Sequence, residues 1–190
     1  MSTKTNKVSK ASARPQKRHD SHAEDMVDHY WGSLTHVQSL IKASELKAGL
    51  ILSFYGILLN FVYQSYSSLS ANDETSYILL GLLGVWFLST AASIYFCFRC
   101  FIPRIEGAYD DNVFFFNDVI SKFGGIKEFS KTFYKVSMNE QELFGQMGEQ
   151  IFIVSKIAAW KFRNVQRAIR LLAVGMMILL VAIAVTVFLR

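Results

Sequence analysis

The residues whose types and spacing could do chemistry are cations near the end of the chain and one acid near its start. Lys156, Arg163, Arg167 and Arg170 fall within a narrow arc at 100° per residue, with Trp160 beside them. Lys161 joins them in a single basic cluster, while Phe162, Val165 and Ile169 occupy the other side. Guanidinium forks match phosphate oxygens, so the cluster could bind an anionic small molecule. It could equally hold a helix at a bilayer surface, its stems snorkelling and Trp160 lying at headgroup depth. A third use is pairing with Glu45, which stands with Lys47 at the lip of an uncharged stretch. A lone carboxylate there is costly without a cation, and Lys161 and Arg163 are its candidate partners. Lys47, Lys156, Lys161, Arg163 and Arg167 are the candidate ligand-binding residues.

No other cluster promises a reaction. Cys97-x-x-Cys100 lies at the end of an apolar run, with no second pair and no nearby histidine to complete a zinc tetrahedron. His22, His29 and His36 recur every seven residues, which on a helix separates consecutive members by ~10 Å, so a polar stripe is expected and not a metal site. Asp110, Asp111 and Asp118 are read as capping and solvated acids. G-x-x-x-x-G-K, H-E-x-x-H and G-x-S-x-G patterns are absent. The sequence therefore predicts no catalytic residues, no bound metal, no cofactor and no enzymatic activity.

The elements that must position these side chains are dictated by hydropathy. With 52% hydrophobic and 18% charged residues and a mean hydropathy of +0.26 over 190 residues, the chain is too apolar for an ordinary soluble domain of this size. No charge occurs between Lys47 and Asp73, between Glu74 and Arg99, or between Arg170 and Arg190. Runs of this length suffice to cross a ~30 Å hydrocarbon core as helices. The predicted fold is an all-α membrane protein: three transmembrane helices with long cytoplasmic helical extensions forming a coiled bundle. Its expected order is a disordered basic tail (1–20), an amphipathic helix (21–47), the first span (48–66), an outside loop (67–75), the second span (76–98), a cytoplasmic helical region (99–170) and the third span (171–189). The net charge of +5 resides in the tail and beside the spans. That placement orients a chain in a bilayer, N-terminus inside and C-terminus outside, with lipid rather than nucleic acid as partner.

Local signals refine this order. Ser21-x-x-Glu24 and Ser137-x-x-Glu140 have capping-box form and should start helices. Val27, Tyr30, Leu34, Val37, Ile41 and Ala48 follow a 3-and-4 spacing, as do Phe144, Met147, Ile151, Val154 and Ala158, so the two seams should pack together. Asp110-Asp111-Asn112 is expected to start a helix carrying Val113 to Phe116, Val119 and Ile120, ended by Gly124-Gly125. The following segment, with Phe129, Phe133 and Tyr134, reads as weakly helical. Small residues from Gly81 to Ser93 mark a candidate contact between subunits, because one three-helix protomer encloses no useful pore.

Ala43-Ser44-Glu45-Leu46-Lys47-Ala48-Gly49-Leu50 resembles the A-D-x-K-A-g-L element at the first span of the Pycsar effector transmembrane proteins, small bacterial antiphage proteins. The likeness continues through Pro103-Arg104, Val113 to Ile120, Gln150-Ile151, and Lys161-Phe162-Arg163 to Ala168, covering roughly residues 24 to 188. Glu45 stands where the family usually has Asp, and Ser44 where it has an apolar residue. The resemblance implies an effector in the bacterial inner membrane that responds to cyclic UMP or cyclic CMP made by a partner cyclase. On activation it would assemble as a homo-oligomer or rearrange, impair the membrane and stop growth by abortive infection. The competing class is a non-toxic scaffold or signalling adaptor that holds partners through its cytoplasmic helices.

Overall fold

The structure, a computed structural model, describes residues 13–69, 77–102 and 111–188, with side chains described over 23–65, 77–102 and 111–187. Most of the basic tail, most of the first loop, Pro103-Arg104, Asp110 and Arg190 lie outside the described residues. Five helices follow in order: α1 (Ala13–Leu69), α2 (Tyr77–Phe101), α3 (Phe116–Ser121), α4 (Ile126–Ser137) and α5 (Glu140–Phe188). No strand occurs among the described residues. Stretches of α1, α2 and α5 are long and apolar enough to cross a membrane.

The chain divides into two compact units, Met1–Val37 with Tyr109–Ile153, and Gln38–Ala108 with Val154–Arg190, and α1 and α5 contribute to both. In the first unit, α1 presents Tyr30 and Leu34, α5 presents Met147 and Ile153, and Val113, Phe115 and Val136 complete the buried set. A chain of rings runs from Tyr30 to Phe114 (6.3 Å between centroids), Phe133 (5.9 Å), Phe129 (5.8 Å) and Phe123 (5.8 Å). Burial raises the Tyr30 phenol above its ordinary 10.0. These rings explain why residues 126–137 form a full helix despite weak local propensity: Phe129, Phe133 and Val136 fall on one face, where Val136 is buried, Phe129 is half-buried and the more exposed Phe133 lies against the Phe114 and Phe129 rings.

Three local expectations differ from what is observed here. The described part of α1 opens at Ala13, ahead of Ser21, so the first capping signal lies within a helix. Ser137 is the last residue of α4, and Asn139 caps α5 in its place, its Oδ1 accepting from Glu142 N–H at 3.4 Å. The aromatic segment is helical only from Phe116, because the Asn112 side chain, accepting from Phe114 N–H at 2.9 Å, folds Asn112–Phe115 into a turn. Gly124 adopts φ +62°, a conformation in which side chains are strained, and lets the chain reverse between α3 and α4.

The second unit packs α1, α2 and α5 around Ala48, Ile51, Tyr55, Cys97, Cys100, Val165 and Ala168. On α1 the buried positions Ser44, Ala48, Ile51 and Tyr55 follow a 4-3-4 rhythm. The outer surface is apolar: Leu50, Phe54, Ile57 and Phe61 on α1, Phe87 and Leu88 on α2, and Met177, Leu180 and Ile183 on α5 are exposed. A surface of this kind suits lipid as its solvent, while Ser44, Thr90, Ser93, Lys161 and Asn164 are buried.

Candidate functional site

Lys161 is 4% exposed, and its Nζ donates to Glu45 Oε1 at 2.5 Å. The sequence offers Lys161 both to the basic arc and to Glu45, and its helical register is that of Val154, Ala158, Val165 and Ala168, the buried face of α5. The spacing 154, 158, 161, 165, 168 is the signal that separates it from the exposed cations. The two partners are unequal, the Lys161 side chain being 5% exposed and that of Glu45 38%. Ser44, buried beside Glu45 in sequence, donates its hydroxyl to Leu40 O.

The remaining candidates lie outside this pair. Lys47, Lys156, Arg163, Arg167 and Arg170 are exposed, and Arg163 points away from the face that carries Lys161. Arg167 lies over the Phe96 ring at 5.5 Å. Arg99, which sequence reading treats only as the positive end of the second span, stacks between Trp160 at 5.5 Å and Tyr95 at 5.9 Å. Cation and ring attract through the quadrupole, so these contacts order guanidinium groups beside the exposed cations of α5. The second unit thus brings together Glu45 and Lys161 inside, with Arg99, Arg167 and Trp160 arrayed at the same end of its helices.

Deeper in the bundle, α2 turns a polar face to α1 and α5. Ser93 Oγ donates to Ala168 O at 2.9 Å, and Ser89 Oγ donates to Leu171 O at 3.1 Å. Each hydroxyl thereby shares a carbonyl of α5, which draws the helices close.

The first unit holds a separate polar hub. Asn112 is fully buried, its Nδ2 donating to Gln146 O (2.7 Å) and Glu149 Oε2 (3.3 Å) and its backbone N–H to Asp118 Oδ2 (3.3 Å). Gln146 Oε1 accepts from Val113 N–H at 3.0 Å. Lys122 reaches Asp111 at 3.1 Å and Asp118 at 3.5 Å. The hydrogen bond to Asp111 raises the Lys122 ammonium above its ordinary 10.5, and Asp118 adds to the effect. Asp111 and Asp118 thus serve an ion pair and a loop anchor. No group of acids, histidines and cysteines suited to a metal occurs among the described residues.

A chain that is helical, without strands, over its described residues, with three helices able to cross a membrane and a largely apolar outer surface around them, defines a membrane protein built on a small helical bundle. A family model described as the Pycsar effector protein domain, PycTM, matches residues 29–188. The chain belongs to that family, and the family's antiphage effector role is the one it carries. No curated protein and no solved structure matches it.

Proposed function

We propose that this effector senses cyclic UMP or cyclic CMP from a partner cyclase and responds by impairing the inner membrane, as a homo-oligomer or through rearrangement of its bundle. The protein is proposed to act without catalysis, metal or cofactor, with its N-terminus in the cytoplasm and its C-terminus outside. The observation that carries this reading is the coincidence of family membership with one buried ion pair at the membrane lip. Glu45 lies within the matched residues, where the resemblance puts the family's acid, and it pairs with Lys161.

A cyclic nucleotide brings one phosphate charge and one flat base. The exposed Lys47, Arg163 and Arg167 supply cations for the phosphate, and Trp160 with Arg99 supplies a face for the base. Lys161 is not free for an anion while Glu45 holds it. A phosphate that drew Lys161 from Glu45 would favour a second arrangement of α1 and α5, and only such a difference in affinity lets a ligand shift the equilibrium.

The test is membrane-potential dye uptake in cells expressing the protein with cyclases that make cyclic UMP, cyclic CMP or a purine cyclic nucleotide. The expected result is depolarisation with one pyrimidine nucleotide, weakened in Lys47→Ala and Arg163→Ala variants that still reach the membrane. An inserted protein that leaves the potential unchanged under every nucleotide refutes the reading and favours an adaptor.

A further inference from the structure

The buried face of α2 contains more polar groups than the packed bundle satisfies. Trp86, Ser89, Thr90, Ser93, Cys97 and Cys100 recur at helical spacing on that face; all but Ser89 are buried, with exposures of 3% or less. Ser89 and Ser93 have α5 carbonyls as acceptors. The Tyr55 hydroxyl points at the same place from α1, beside the hydroxyls of Ser93 and Thr90. The Tyr55 hydroxyl is near enough to Ser93 and Thr90 to interact with both, yet among the described residues Tyr55 Oη, Thr90 Oγ1 and Trp86 Nε1 make no contact of full hydrogen-bond geometry. Phe and Val would fill the same space without this cost, since a polar group in a dry, lipid-surrounded interior gains nothing unless it is bonded.

We propose that this face, Trp86, Ser89, Thr90, Ser93 and Cys97, with Tyr55 opposite, is the water-bearing lining of the path opened across the membrane in the activated protein. The inference rests on the membrane-impairing function proposed above and names its site. In the packed bundle the hydroxyls are withheld from water. When α2 separates from α1 and α5, each becomes hydrated, so wetting stabilises the open arrangement relative to the closed one. The same side chains therefore weaken the resting state and favour the conducting one. Apolar outward residues such as Phe87 and Leu88 cannot serve, because they offer water no partner.

Two readouts test this in the full-length protein. The first compares Tyr55→Phe/Thr90→Val with wild type in nanodiscs and in cells. The expected result is a higher thermal midpoint together with severalfold weaker depolarisation. A lower midpoint means that these hydroxyls stabilise the closed bundle, and overturns the inference. Ser93→Ala, whose hydroxyl is already bonded, should weaken depolarisation without raising the midpoint. The second readout is labelling of the native Cys97 by a membrane-impermeant maleimide, with Cys97→Ala as control for Cys100. Labelling should be absent at rest and appear with depolarisation. Wild type that depolarises while Cys97 stays unlabelled overturns the lining and leaves the proposed function standing. Wild type inert to every nucleotide refutes the function itself.

Discussion

The two units handle buried polar groups in opposite ways. In the first, Asn112 is fully enclosed and both side-chain atoms are bonded, to Gln146, Glu149 and Phe114; among the described residues of that unit only Gln150 Oε1 goes without a partner. In the membrane bundle, Lys161 depends on a single acid, and Tyr55, Thr90 and Trp86 keep unmet groups. A satisfied network specifies one loop conformation and holds it. An unsatisfied one leaves the bundle short of its most stable packing, which is what a conformational response requires.

The sharpest way to break this comparison is at the ion pair. Glu45→Leu leaves a buried ammonium with no acid and should cost about 3–5 kcal/mol, seen as a fall in thermal midpoint in nanodiscs. Lys161→Met leaves a carboxylate that is 38% exposed and can be hydrated, so it should cost only about 1 kcal/mol. The double variant should return close to wild type, because an apolar pair of similar volume replaces a buried ion pair at little cost. Equal losses in the two single variants would show that the burial asymmetry has no energetic meaning.

Asn112→Ala tests the other side. It removes the side-chain bonds to Gln146 and Glu149 and strands the Phe114 N–H, for an expected loss of about 2–4 kcal/mol. Hydrogen exchange should accelerate at residues 111–122. Unchanged exchange there would mean that the ring chain alone, from Tyr30 to Phe123, fixes the loop.

Much of this architecture was legible in the sequence because it is periodic. Both seams and all three spans follow from spacing and the absence of charge, and the Glu45 element carries the family resemblance. Lys161 is named from sequence both as a partner of Glu45 and as a ligand-binding cation beside Arg163 and Arg167; its register between Ala158 and Val165 is what separates it from those exposed cations and favours the pairing. The Asn112 hub was not legible, because its partners on α5 lie more than thirty residues away in sequence. The helix from Ile126 to Ser137 is only weakly legible for a related reason: tertiary ring contacts, not local propensity, decide it.

A smaller effect separates the two capping signals at the start of α5. Asn139→Ala should cost about 0.5–1 kcal/mol, toward the lower end because the 3.4 Å bond to Glu142 N–H is long. Ser137→Ala should be neutral or slightly stabilising, since Ser137 is the last helical residue of α4 and alanine is the better helix former. The reverse order would move the cap back to Ser137. Thermal midpoints of the two variants decide it.

The smallest effect expected is at Lys122, and its dependence on conditions is more informative than its size. Its folded-state affinity for the proton is raised, so its contribution is fully present below the ordinary lysine value of 10.5 and is lost as the pH climbs through the higher folded value. The difference in thermal midpoint between wild type and Lys122→Met should accordingly be constant through neutral pH and shrink only on the alkaline side of 10.5. Salt divides its two contacts. The Asp111 side chain is 62% exposed and its bridge should be screened, whereas Asp118 is 6% exposed and also accepts from the Asn112 N–H. Asp118→Asn should therefore accelerate exchange at Asn112 at any ionic strength, while the effect of Asp111→Asn should fade as salt is raised. If both effects fade alike, the buried network of the first unit ends at Asn112 and Lys122 is only a surface ornament to it.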